Sequence, residues 1–141
     1  MQTFLPDEDF RKSASMLDNK RLGKQRIEAK QIYDIVFNNR TTGGWVNHPA
    51  VKMWKGYHNS LAYYHNCMID EWKKRGFKNT MLYITPVDGL MFPKPLWLGD
   101  ERLHSSHRAN LIRKDSTFYG QYNWLDDPST PYFWPPETYT R

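Results

Sequence analysis

Cysteine is almost missing from this chain. Cys67 stands alone, so no disulfide can form within it, and a reducing compartment fits that usage. Its neighbours Tyr63, Tyr64, Met68 and Ile69 mark a packed thiol rather than a nucleophile. No apolar run approaches the length that spans a bilayer. The opening Met1-Gln2-Thr3-Phe4-Leu5-Pro6 lacks the basic flank and apolar stretch of a signal peptide. A soluble cytoplasmic protein without membrane contact is expected. Gly-x-Gly-x-x-Gly, a Walker loop and Gly-x-Ser-x-Gly are also missing, which argues against dinucleotide, nucleoside triphosphate and hydrolase-elbow chemistry. His104 and His107 have a spacing that metal sites use on helices, with His48, His58 and His65 elsewhere. Yet there is no His-Glu-x-x-His and no acidic cluster beside them, so neither metal nor cofactor is expected.

What the chain does have is rings and positive charge. Aromatic residues make up 16% of its 141 residues, against a mean hydropathy of −0.82. Large rings among polar residues suit one compact domain with an aromatic-lined groove better than a disordered chain. A net charge of +5 and a pI near 9.3 favour a polyanionic partner.

The periodicity predicts an all-α bundle with long Pro- and aromatic-rich loops, one domain over residues 1–141, and a monomer. Residues 1–6 read as an extended segment. Asp7 or Asp9 caps a helix over Phe10 to Leu17, and Asp18 or Asn19 caps the next, over 19–38. After the turn Thr41-Thr42-Gly43-Gly44, a helical stretch runs from Ala50 to Lys74 with a break near Gly56, its Tyr57, Leu61, Tyr64, Met68 and Trp72 reading as core. Residues 77–99, with Pro86, Gly89, Pro93, Pro95 and Gly99, read as loop; Met81 to Ile84 has no evident partner strand. Asp100 caps a last helix to about Lys114, and the tail from Ser116 reads as an ordered aromatic coil reaching Tyr139.

The opening of the second helix, Asp18 to Glu28, carries far more charge than a helix start needs. At 100° per residue, Leu22, Ala29, Ile32, Tyr33, Val36 and Phe37 share one face. Gln25 and Arg26 fall inside that apolar arc, and Arg21, Lys24 and Glu28 line one flank. Burying Gln25 and Arg26 is costly unless they are satisfied. Either Arg26 is tied to a buried carboxylate, or this face lines a pocket. On the last helix His104, His107, Asn110 and Lys114 share an arc, with Arg108 and Arg113 on other faces. That set could bind several phosphates, or could simply be a solvated basic face. Cations to grip phosphates, rings to stack on an unstacked base and few acids to do chemistry together suit DNA, with RNA or a nucleotide as the alternative partner.

Several blocks carry a resemblance: Met1 to Pro6, Leu17-Asp18-Asn19-Lys20-Arg21-Leu22-Gly23-Lys24-Gln25-Arg26-Ile27-Glu28-Ala29, Asn47-His48-Pro49-Ala50-Val51-Lys52-Met53-Trp54, Trp97 to Glu101 and Ser106 to Asp115. Together they resemble small bacterial and phage proteins of the pyrimidine dimer DNA glycosylase (endonuclease V) superfamily. The resemblance implies a helical monomer that kinks DNA and flips a base. An N-terminal amine would attack the sugar C1′ beside a damaged pyrimidine, form a Schiff base and nick the strand by β-elimination. By position it makes Glu28 the catalytic carboxylate, Arg26 the helix arginine and Lys114 a phosphate-binding lysine. Two departures stand out. Ile27 separates Arg26 from Glu28, where the family has the two adjacent, and the bulky Gln2 disfavours removal of Met1. The nucleophile is then the amine of Met1, or Lys24 if burial or Arg21 lowers its pKa, or the Schiff-base step is absent.

The expectation is therefore a DNA glycosylase, with AP-lyase activity in prospect, in which Glu28, Met1 and Arg26 are catalytic. Arg21, Lys24, Gln25, His48, His104, His107, Arg108, Asn110, Arg113 and Lys114 would hold the substrate. The rivals are a non-catalytic nucleic-acid-binding domain on the same scaffold and a nucleotide- or RNA-acting enzyme using His104 or His107 as acid–base.

Overall fold

The computed structural model describes residues 1–87 and 94–136. Gly89 and Pro93 of the expected loop and Tyr139 of the tail lie outside the described residues. Among those described the fold is mainly α, with six α-helices, one 3-10 turn and no strand. No helix among the described residues is long and apolar enough to cross a membrane.

Capping carboxylates set the helix starts. Helix α1 (Phe10–Met16) opens where Asp9 accepts from the N–H of Lys12. Helix α2 (Asn19–Phe37) opens where Asp18, rather than Asn19, accepts from the N–H of Arg21. The short α3 (Pro49–Lys52) is capped by His48 and carries proline at its first position, where a missing N–H costs nothing. Gly56, at φ 83°, separates it from α4 (His58–Lys74), so the expected break falls at the residue free to make that turn. Asp100 caps α5 (Glu101–Lys114). The tail departs from a plain coil at its start. The Asp115 carboxylate accepts from the N–H of Phe118 and adds α6 (Ser116–Tyr119), which runs on into the 3-10 turn Gly120–Tyr122.

The body of the protein is α2 packed on α4, with α1 also packed on α4. Leu22, Ala29 and Ile32 of α2 and Leu61, Tyr64 and Met68 of α4 are fully buried. Phe37, expected on the same face, is half exposed. It sits on the last turn of α2, stacked on Tyr33 at 5.3 Å. The segment after α4 is extended without a ladder. The side-chain amide of Asn66 pairs with both the N–H and C=O of Ile84, and Asn59 does the same for Val87. Two asparagines thereby replace the missing partner strand.

The N-terminal segment runs between these parts, with Thr3, Phe4 and Leu5 buried. An isolated extended strand inside a helical protein must find partners for its backbone groups. Here α4 and α5 supply them for Phe4 to Pro6. The Thr3 hydroxyl donates to the C=O of Ala50 and accepts from the Trp54 indole, both at 3.0 Å. The Tyr64 hydroxyl accepts from the N–H of Phe4 and donates to its C=O. At Leu5 the N–H donates to His107 Nδ1 and the C=O meets His104 Nδ1, both at 2.8 Å. Arg108 Nη1 donates to the C=O of Pro6 at 2.8 Å. Three consecutive residues of the chain are each held by side chains from distant helices.

Candidate active site

The segment delivers Gln2 to the flank of α2. The N–H of Gln2 donates to Glu28 Oε2 at 2.6 Å, and Gln25 Nε2 donates to the C=O of Gln2 at 2.9 Å. Gln25 and Glu28 are three apart on a helix, so they are neighbours on its surface and grip both sides of one residue. The polar residue inside the apolar arc is thereby explained for Gln25, which is 1% exposed and spends its amide N–H on the N-terminal segment. Its Oε1 and that of Gln2 remain buried without a partner. The surroundings of the Gln2 backbone are thus rich in acceptors: two amide oxygens and a carboxylate.

His48 faces the same place from α3. Burial first, and then the positive N-terminal amine, hold its imidazole below the ordinary histidine pKa, while Glu28 pulls the other way. Its Nδ1 accepts from the N–H of Ala50 at 3.1 Å, so in the neutral ring the proton sits on Nε2. The structure therefore brings together Met1, Gln25, Glu28 and His48, four residues singled out from sequence.

Arg26 goes elsewhere. Two residues before Glu28, and so about 200° round α2 from it, its Nη1 donates to Asn79 Oδ1 at 2.6 Å and its guanidinium lies 4.3 Å over the Trp72 ring. Among the described residues it makes neither the expected carboxylate tie nor a hydrogen bond with Glu28, and burial lowers its pKa. Gly23 belongs to this arrangement. A Cβ there would come within 3.0 Å of the Trp72 ring, so the ring would have to shift to admit a side chain. Arg21 pairs with Asp18 at 3.2 Å, and Lys24 stands exposed one turn before Glu28.

On α5 most of the expected phosphate-binding set is engaged inside the protein. His104 donates from Nδ1 to Leu5 and accepts at Nε2 from the N–H of Gly99, so both nitrogens are occupied. His107 is fully buried, its ring edge-on to Trp134 at 5.1 Å and to Tyr132. Arg108 is paired with Asp126 at 2.9 Å and with Glu101. Arg113 bonds Asn110 Oδ1 and the carbonyls of Pro128 and Thr130, tying the C-terminal coil to the helix. Lys114 alone of this set is exposed with no partner among the described residues. Residues of α5 thus hold the segment that carries the amine, and the aromatic tail covers them.

Two clefts flank α3. The larger, about 590 Å³, is lined by Asn47, Pro49, Lys55, Tyr57, Trp97 and Trp134 among others. The smaller, about 250 Å³, lies towards Arg40, Thr41 and Val46 and shares Asn47 and Lys55 with the first. Neither includes Glu28, but the sequence neighbours of His48 line the larger. Sequence reasoning missed two residues of this region. Tyr64 read only as core, yet its hydroxyl fixes Phe4; a phenol at a core position was the one available signal. Trp45 read only as loop, yet its indole is 54% exposed and lies edge-on to His48 at 5.8 Å.

Comparison with curated proteins gives no match, and comparison with solved structures gives none either. A family model does match. It is described as pyrimidine dimer DNA glycosylase and covers residues 1–85, a stretch that holds Met1, Gln25, Glu28 and His48 but ends before α5. More than half of the chain lies within that match, and the chain belongs to the pyrimidine dimer DNA glycosylase family.

Proposed function

We propose that this protein is a DNA N-glycosylase with strand-nicking lyase activity, acting on a damaged or modified pyrimidine. The family makes repair-type glycosylase chemistry the class of function and DNA the partner. The observation that supports the finer reading is the 2.6 Å bond between the Gln2 N–H and Glu28 Oε2, which holds a carboxylate one residue along the chain from the N-terminal amine. In the proposed reaction the amine attacks C1′ of the damaged nucleotide. The glycosidic bond breaks, and the base leaves with a proton. Opening of the sugar ring gives an iminium between amine and C1′. Loss of a C2′ proton then breaks the bond from C3′ to the phosphate oxygen, and hydrolysis frees the amine.

Glu28 and the acceptor oxygens of Gln2 and Gln25 support the cationic stages, because acceptors fixed in place stabilise a developing positive charge without reorganising. Glu28 is also the carboxylate placed to move the C2′ proton. His48, neutral and with its proton on Nε2, offers a donor to the leaving base or the opening ring oxygen. Lys24 and Arg21, on the Glu28 flank, and the exposed Lys114 would hold phosphates as point charges. The rival that uses His104 or His107 as acid–base loses support, since both rings are buried with Nδ1 bonded to the Leu5 backbone.

Borohydride trapping on duplex DNA carrying an abasic site tests the reading. A covalent adduct, mapped by mass spectrometry to the N-terminal peptide and lost when the amine is blocked, is expected. Salt-dependent binding with no adduct and no base release from damaged DNA would overturn it in favour of a binding domain.

A further inference from the structure

The loop before α3 holds an aromatic side chain out into solvent at a conformational cost. Trp45 is 54% exposed and has φ of 73°, in the left-handed region that a bulky side chain avoids. Gly43 precedes it at φ 103°, and a side chain there would run into the Arg40 guanidinium at 2.8 Å. The turn is therefore built from one obligatory glycine and one residue for which glycine would be cheaper. The half-exposed indole lies outside the buried core cluster. Its ring neighbour among the described residues is His48, at 5.8 Å, which itself feels the charges of the N-terminal amine and Glu28.

The electrostatics of the surroundings select the partner. Residues 35–69 contain no Asp or Glu, while Arg40, Lys52 and Lys55 lie among them. Arg40 and Lys55 are exposed. A stretch without acidic side chains, with an exposed ring beside His48, suits a polyanion that carries flat π-faces. We infer that Trp45 is a stacking residue for an unpaired nucleobase of the DNA strand that flanks the reacting sugar. The indole would fill the gap left in the base stack and keep C1′ within reach of the amine. This rests on the glycosylase reading for its location, but the stacking itself does not require catalysis.

Three variants at one position test it. Trp45→Gly removes the ring and relieves the positive φ, Trp45→Ala removes the ring only, and Trp45→Phe keeps a stacking face. Binding is measured to duplexes with and without an abasic site, with 2-aminopurine next to that site. Trp45→Gly and Trp45→Ala are expected to weaken abasic-site binding by about five- to a hundred-fold, the range of one lost base–aromatic stack. They should also abolish the 2-aminopurine response, while Trp45→Phe retains most of both. The slope of affinity against salt stays unchanged, since no phosphate contact is removed. Trp45→Gly should melt no lower than wild type, which a merely structural tryptophan would not allow. Wild-type affinity and 2-aminopurine response in Trp45→Gly would overturn the inference, whatever trapping shows. Loss of both in a protein that never forms a borohydride adduct would support stacking while sinking the glycosylase reading.

Discussion

Gln2 and Glu28, 26 residues apart in sequence, are joined by a 2.6 Å bond from the N–H of one to Oε2 of the other. Such a short bond to a charged acceptor is of the stronger kind. It also poses a chemical question. The nitrogen that Glu28 holds is an amide, and an amide nitrogen is no nucleophile. The amine that acts is therefore that of Met1, one residue further out, or that of Gln2 after Met1 has been removed.

Gln2→Ala separates the two cases. A small second residue permits removal of the initiator methionine, so the purified variant should lack Met1 by intact mass. Its free α-amine then takes the place of the Gln2 N–H on Glu28. If position 2 is where the amine works, the yield of borohydride adduct rises above wild type. A fall in yield assigns the chemistry to Met1.

Glu28→Gln tests the carboxylate with little disturbance of shape, because its amide oxygen can still accept from Gln2. Thermal stability should drop by about 1 kcal/mol or less. Strand nicking should fall by about 10²- to 10⁴-fold, the usual loss when a positioned proton-transfer group is removed. Abasic-site binding should hold. Nicking at the wild-type rate would remove Glu28 from the mechanism.

Much of the scaffold was legible in the sequence because capping is local. Asp9, Asp18 and Asp100 announce their helices within three residues of themselves. The centre of the site was legible for another reason: Gln25 and Glu28 are polar where a helix of this kind has no local use for them. What could not be read is where such residues spend their hydrogen bonds. Arg26 reads as a member of the same site as Glu28 but points to Trp72 and Asn79, since two residues along a helix lie about 200° apart round its axis. His104, His107 and Arg108 looked like a phosphate grip, yet their partners are Leu5 and Pro6, about a hundred residues earlier in the chain. Backbone hydrogen bonds of an unpaired extended segment leave no trace in composition.

That long-range grip makes His104 a positioning residue, and it can be told from an acid–base. His104→Ala strands the buried C=O of Leu5, at a cost of about 1–3 kcal/mol in stability. Nicking should fall as the N-terminal segment loosens, but the pH–rate profile should keep its shape. A lost limb in that profile would instead mark His104 as a proton carrier.

His107 gives the folded protein a pH dependence of definite sign. Burial first, and then the neighbouring His104, push its pKa down to about 3, from 6.5 in the unfolded chain. Below pH 6.5 the unfolded state therefore binds more protons, and acid favours unfolding. The contribution is intact above pH 6.5 and is lost progressively as the pH falls towards 3, at up to about 1.4 kcal/mol per pH unit. The carboxylates of Asp18 and Asp126 are held below the ordinary range, so their contributions disappear only at lower pH. Between pH 5 and 6.5 the slope belongs to histidines (about 6.5 unperturbed), and His65 and His48, also depressed by burial, share it. In His107→Asn the amide oxygen can accept from the N–H of Leu5 without a titrating ring. Urea unfolding across that window should give a shallower rise of stability with pH for the variant than for wild type. Equal slopes would mean that the buried ring is not the group that acid attacks.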